Sequence, residues 1–238
     1  MVTILVGEGE MPFILHQAPL ARKSQYFKDV STSEQERETD EVVVKLSSID
    51  SVSFKVYTHW VYGSQLDSGA MGYHMLKVPQ SEDFTTRGRH ETTLVSKAER
   101  EATQKATLDL CSELAHYLMR LWTHADFLGD ARFQNTIADE LVKRLLDRNT
   151  PTVIHMKTFA LVDEQTESDC PLRQICIHWA DRELTKKSDM KVFSETAPKW
   201  LMSGLLFSKI RREQGRWEED PRRVPTKRRY HVPEVVQT

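Results

Sequence analysis

The order of elements in Val2–Gly63 constrains this chain more than any other feature. Val2-Thr-Ile-Leu-Val6 is apolar almost throughout, the pattern of a strand covered on both faces. Gly7–Glu10 reads as a turn and Met11-Pro-Phe-Ile-Leu15 as a second short strand. A helix follows over Leu15–Val30, with apolar positions at Leu15, Leu20, Tyr26, Phe27 and Val30. Pro19 has no amide to donate and fits only a first turn, which places the helix start near Ala18. Ser31–Glu41 is polar, acid-rich and without periodicity, so a mobile loop is expected there. The β-branched run Val42–Leu46 predicts a third strand. Ser48 or Asp50 can cap the next helix, Ser51–Tyr62. Its Phe54, Tyr57 and Val61, flanked by Val56 and Trp60, make a broad face to bury.

Beyond Gly63 the pattern loosens and then returns. Residues 66–105 are rich in Gly, Ser, Thr and charge, with scattered apolar residues, and read as a largely disordered insertion whose end joins the next helix around Ser96-Lys-Ala-Glu99. The clearest helix runs from about Ala106 to Leu128, where Cys111, Leu114, Leu118, Leu121, Ala125 and Leu128 recur at spacings of three and four. Gly129 ends it. Phe133, Ile137, Leu141 and Leu145 form a second stripe that stops before Pro151. A short helix is expected over Thr152–Val162, capped by Thr150 or Thr152, then a loop over Asp163–Asp169. Pro171 suits the first turn of a helix carrying Leu172, Ile175 and Trp179. A last helix, near Glu195–Arg212, holds Trp200, Leu201, Leu205 and Ile210. From residue 214 onward the chain is charged and proline-broken, the composition of a disordered basic tail.

Composition narrows the class. A chain of 238 residues can bury one sizeable core or two small ones. A hydrophobic content of 39% and a formal net charge of −2 are ordinary for a soluble globular protein and make no global case for nucleic acid or membrane. Three cysteines without paired spacing, Cys111, Cys170 and Cys176, imply reduced thiols inside a cell, in cytoplasm or nucleus. Met1–Val6 has no basic lead and no cleavage pattern, so no signal peptide is expected.

The search for chemistry returns little. Gly7-Glu-Gly9 lacks a third glycine and sits in a turn, and the chain holds no phosphate-loop, metalloprotease or nucleophile-elbow pattern. Cys170, Cys176 and His178 are the one close cluster of metal-ligating residue types, but Cys-x5-Cys-x-His is not a structural zinc spacing, and Cys176 reads as a small core residue. His116 and His124 share one long helix with Asp126 and read as core or rim residues rather than bases. Asp139-Glu140 and Glu218–Asp220 are solvated acid runs. No catalytic, cofactor-binding or metal residue is assigned. Arg222-Arg223 and Lys227-Arg228-Arg229, on either side of Val-Pro-Thr, are a candidate nuclear import signal.

Several of these residues together resemble a BTB/POZ domain. In the first half they are the strand Val2–Val6, Phe13-Ile-Leu-His16, Leu20, Arg22, Ser24, Tyr26-Phe27, and Phe54…Tyr57…Trp60-Val-Tyr-Gly63. In the second they are Leu118–Leu128 and Phe133–Leu141, similar to the family's apolar helix, Ala-Asp, short break and second helix. Cys170–Ile175 is similar to a segment that trails the domain in short fungal members. The resemblance implies an α+β, mainly helical fold, a small sheet capped by helices, with His16 at the place of a structural histidine, buried or capping. It implies a BTB/POZ domain over residues 1–148, a helical extension over 149–213 and the tail over 214–238. It implies a non-enzymatic protein–protein interaction module, either a homotypic scaffold or a substrate adaptor of a cullin-based ubiquitin ligase. The alternative is a nuclear regulator whose basic tail contacts nucleic acid. Many relatives exchange a segment ahead of the first strand in a homodimer, and no such lead-in precedes Val2 here. Adaptors carry an apolar-x-Glu element after the first long helix, whereas Glu34 and Glu36 are preceded at that offset by Thr32 and Glu34.

Overall fold

The chain follows the expected strand–strand–helix–strand–helix order in its computed structural model, which describes residues 1–35, 42–63, 65–66, 97–146, 153–184, 193–214 and 230–234. Strands β1 (Val2–Val6), β2 (Met11–Leu15) and β3 (Val42–Leu46) form one sheet in the order β2-β1-β3. β1 pairs antiparallel with β2 and parallel with β3. A parallel pair needs a crossover, and helices α1 (Gln17–Lys23) and α2 (Gln25–Gln35) supply it. Helix α3 (Ser51–Gly63) follows, with Asp50 as its cap: the Asp50 carboxylate accepts the Ser53 amide at 2.9 Å and the Ser53 hydroxyl at 2.7 Å.

The second half is helical. It comprises α4 (Lys97–Phe127), α5 (Ala131–Leu146), α6 (Met156–Gln165), α7 (Pro171–Glu183) and α8 (Lys199–Glu213). In its last turns α4 is buried nearly all round, through Leu114, Ala115, Tyr117, Leu118, Met119, Leu121, Trp122 and Ala125, so it is the central helix. The predicted stripe of α5, Phe133, Ile137, Leu141 and Leu145, is buried throughout. A chain of rings ties the halves together. Phe13 meets Phe54 at 5.0 Å, Phe54 meets Tyr57 at 6.1 Å, and Tyr57 and Trp60 each meet Phe133 at 5.3 Å. The buried apolar residues form one cluster from Val2 to Tyr230, so the helices after residue 149 share the core of the first half. Gly204 permits the closest of these contacts, since a Cβ there would fall 2.3 Å from Ile177 Cδ1 where α8 crosses α7.

The structure corrects several expectations. Among the described residues β1 is covered on one face only: Val2, Ile4 and Val6 are buried, while Thr3 and Leu5 point the other way and are half-exposed. As the middle strand it is shielded at its sides by neighbours, which lets apolar residues sit on an open face. The single helix expected over Leu15–Val30 is two helices, broken at Ser24, whose backbone is extended. α2 then continues to Gln35, into the predicted loop, with Ser31 and Thr32 bonding back to the carbonyls of Phe27 and Lys28; the rest of that loop, 36–41, lies outside the described residues. α4 begins at Lys97, ahead of the clear stripe from Ala106 and where the expected end of the insertion joins it, and 67–96 lies outside the described residues. α6 runs from Met156 through Gln165, with His155 at its N-cap position and no side-chain cap; Thr150 and Thr152 are not among the described residues. Pro198 divides the expected last helix into a short helical segment at 193–196 and α8. Residues 230–234, predicted to be part of a disordered tail, lie on the helical core.

Candidate interaction surfaces

The break at Ser24 shows how the halves are locked. The Ser24 hydroxyl accepts the Phe27 amide at 3.2 Å, capping α2, and donates to the Leu128 carbonyl at 2.5 Å. The amides of Gln25 and Tyr26 donate to the carbonyls of Gly129 and Leu128 at 3.4 and 3.3 Å. The open donors at the start of α2 thus meet the open acceptors at the end of α4. That end is a Schellman turn: Gly129 N–H bonds the Asp126 carbonyl at 2.9 Å and Asp130 N–H the Ala125 carbonyl at 3.0 Å. Gly129 has φ +64°, and a Cβ there would lie 2.9 Å from Gln25 Cβ.

Asp130 is the polar centre of this junction. It is 1% exposed. It caps α5 by accepting the Phe133 amide at 2.9 Å, and it takes Trp60 Nε1 at 2.9 Å and the Tyr57 hydroxyl at 3.3 Å. Lys23 lies 4.6 Å over the Trp60 ring and faces the same carboxylate. Burial raises the Asp130 carboxyl above the ordinary range, against the four groups that favour its charge. Its donors are structural and its surroundings are closed, so it fastens α3 to α5 and offers nothing to a substrate. Sequence reasoning passed over Asp130. An Asp just before a helix signals a cap, but partners 70 and 73 residues away leave no local trace.

The titratable groups of α4 make no catalytic set. Burial pushes the His124 imidazole down to about 4, opposed by Asp50 and reinforced by Arg120, so it is neutral at neutral pH. Arg120 Nε lies 3.5 Å from Asp50. Burial raises the Tyr117 phenol to about 12. His116 Nδ1 is 3.0 Å from Thr158 Oγ1, a nucleophile–base spacing, but Thr158 is fully buried and cannot meet a substrate. Asp126 accepts Gln134 Nε2 at 2.8 Å.

The remaining candidates are scattered. The Cys170 thiol caps α7 by accepting the Leu172 amide at 3.3 Å. Cys176 is fully buried, 4.0 Å from Met119 Sδ, and burial drives its thiol far up, which makes it inert. His178 faces Tyr230. Among the described residues no group of three His, Cys, Asp or Glu could hold a metal ion, and no helix is long and apolar enough to cross a membrane. His16 is neither buried nor a side-chain cap. It is exposed, and its backbone N–H and ring Nδ1 lie 3.1 and 3.2 Å from the Tyr62 hydroxyl, because α3 ends beside β2. Arg222, Arg223, Lys227, Arg228 and Arg229 lie outside the described residues.

One surface stands out by its chemistry. On the sheet face turned away from the helices the register sets Ile14, Thr3 and Val43 in one row and Pro12, Leu5 and Lys45 in the next. Ile14 is 65% and Val43 51% exposed, and no described element covers them. Lys45 pairs with Glu10 at 2.7 Å at its margin. Exposed apolar side chains with a charged rim are the make-up of a contact surface.

Comparison with known proteins bears on the same region. The family model described as BTB/POZ domain matches residues 2–78. The match covers the sheet and α1–α3 and stops ahead of α4 and α5, which carry the second half of the resemblance. No curated protein matches the chain.

Proposed function

The chain carries a BTB/POZ domain, a protein-interaction module of a generally non-enzymatic family, and from that premise we propose that it is a homotypic scaffold working through the open face of its sheet. The observation that carries the reading is the pair of exposed apolar side chains Ile14 and Val43 on either side of Thr3, flanked by half-exposed Leu5. An isologous contact needs a self-complementary patch, and a twisted three-stranded face with that apolar pair and a Lys–Glu margin suits one. A ubiquitin-ligase adaptor is the second reading. It rests on family membership, and Thr32 and Glu34 stand where the apolar residue of the cullin-binding element belongs. In that reading α6–α8 recognise the target.

The test is a titration of the full chain against the N-terminal domain of the BTB-associated cullin, with light scattering in the same run. The scaffold reading expects a dimer, a monomer for Ile14→Asp and Val43→Asp, and no cullin binding. A monomer that binds the cullin in the micromolar range transfers the function to the adaptor reading. A monomer that binds nothing refutes both.

A further inference from the structure

The last described residues return to the fold as a strap across α5 and α7, with Tyr230 in a 3₁₀ turn and 231–234 without regular structure. Tyr230 is 1% exposed, and its hydroxyl lies 2.5 Å from Nδ1 of His178 on α7, itself buried. The two rings meet edge to face at 5.6 Å. Two residues on, Val232 is gripped by Asn135 of α5. The Asn135 Nδ2 donates to the Val232 carbonyl at 3.0 Å, and its Oδ1 accepts the Val232 amide at 2.7 Å. His231 Nε2 lies 3.0 Å from Asp139, and Glu234 lies 4.0 Å from Arg132. Arg132, Asn135 and Asp139 form one ridge on α5.

This is the construction of a peptide site. A buried side-chain amide that bonds both the N–H and the C=O of one residue reads an extended backbone as a neighbouring strand would. The Val232 side chain, half-buried, packs against the apolar core beside it. The tyrosine supplies position: its ring fills an apolar hole and its hydroxyl meets a buried histidine. Asn135 is a buried polar residue beside the apolar stripe of α5, and His178 is one on the buried face of α7. Asn135 would be costly without its strap partner.

We propose that the groove between α5 and α7 is a docking site for an extended peptide of the pattern tyrosine, any residue, aliphatic residue, and that the chain's own Tyr230–Val232 occupies it at rest. The strap is joined to α8 through residues 215–229, and a tether of that length presents its end at an effective concentration on the order of millimolar. A partner segment of the same pattern therefore displaces it only when abundant or itself tethered nearby. The site lies outside residues 2–78, and it stands whether the sheet face binds a second copy, a cullin or nothing.

The probe is a fluorescent synthetic peptide of residues 228–236, titrated into the full chain. Tyr230→Ala empties the anchor hole. Val232→Pro removes the one amide that Asn135 accepts and leaves the anchor in place, so it serves should the first variant fold poorly. Both variants are expected to bind the peptide at least about ten-fold more tightly than the wild-type chain. A peptide with alanine at the tyrosine position, or Asn135→Ala added to either variant, is expected to lose that binding. Equal binding by wild type and variants, binding by none of them, or binding indifferent to Asn135 overturns the proposal.

Discussion

Asp130 at the start of α5 and Asn135 further along the same helix are both buried and both fully engaged, but their partners reach them differently. Asp130 is met by Trp60, Tyr57 and the amide of Phe133, all held in helices that cannot leave without unfolding. Asn135 is met by Val232, which sits near the end of the described chain and can leave alone. The first arrangement is a fastener and the second a clasp. The difference lies in whether the partner belongs to a helix of the core or to the short strap 230–234, and it predicts which losses stay local.

The largest expected effect is at the fastener. Asp130→Ala removes a helix cap and strands two buried donors, and it should lower global stability in urea denaturation by about 3 kcal/mol. If it costs no more than a surface substitution, the contrast between the two sites is lost.

Acid loosens the fastened side next. His124 binds its proton near pH 4 in the folded chain and near 6.5 when unfolded. Its neutral form costs nothing above pH 6.5. As pH falls from 6.5 through 4 the unfolded state gains protons that the folded state refuses, and up to about 3 kcal/mol is lost. His124→Gln should flatten that part of the stability profile.

Smaller again is the clasp. Tyr230→Ala cannot cost more than the strap's own docking, about 2 kcal/mol or less, and hydrogen exchange should show residues 230–234 released with α5 and α7 still protected. Release together with general loss of protection would make the strap part of the fastener.

The sheet face sharpens the comparison from the other side, because it is apolar and uncovered where the clasp is polar and filled. Ile14→Asp should change monomer stability by no more than about 0.5 kcal/mol while abolishing self-association. Smallest for the fold is the basic run. Alanine at Arg222, Arg223, Lys227, Arg228 and Arg229 should leave the melting temperature unchanged and lower the nuclear fraction of a fluorescent fusion, if the run is an import signal.

Much of the framework was legible before any coordinates. Val2–Val6, Val42–Leu46, the α3 face of Phe54, Tyr57 and Val61, the Asp50 cap, the α5 stripe, the Gly129 stop and Pro171 at a helix start are all local signals, and each element stands where its signal placed it. The errors fall where a distant group intervened. The helix broke at Ser24 because the Leu128 carbonyl claimed its hydroxyl. Tyr230 and Val232 looked like incidental residues of a charged tail, because two apolar side chains in such a segment carry no period.

The sequence by itself therefore determined which segments become strands and helices, since hydrophobic period, caps and glycine or proline stops act within a few residues. Only the tertiary structure decided which face of β1 no described element covers, where Asp130 finds its donors, and that residues 230–234 close over α5 and α7. The last two depend on pairings across 52 to 97 residues, and a hydrogen bond made at that distance leaves no mark on the residues beside it.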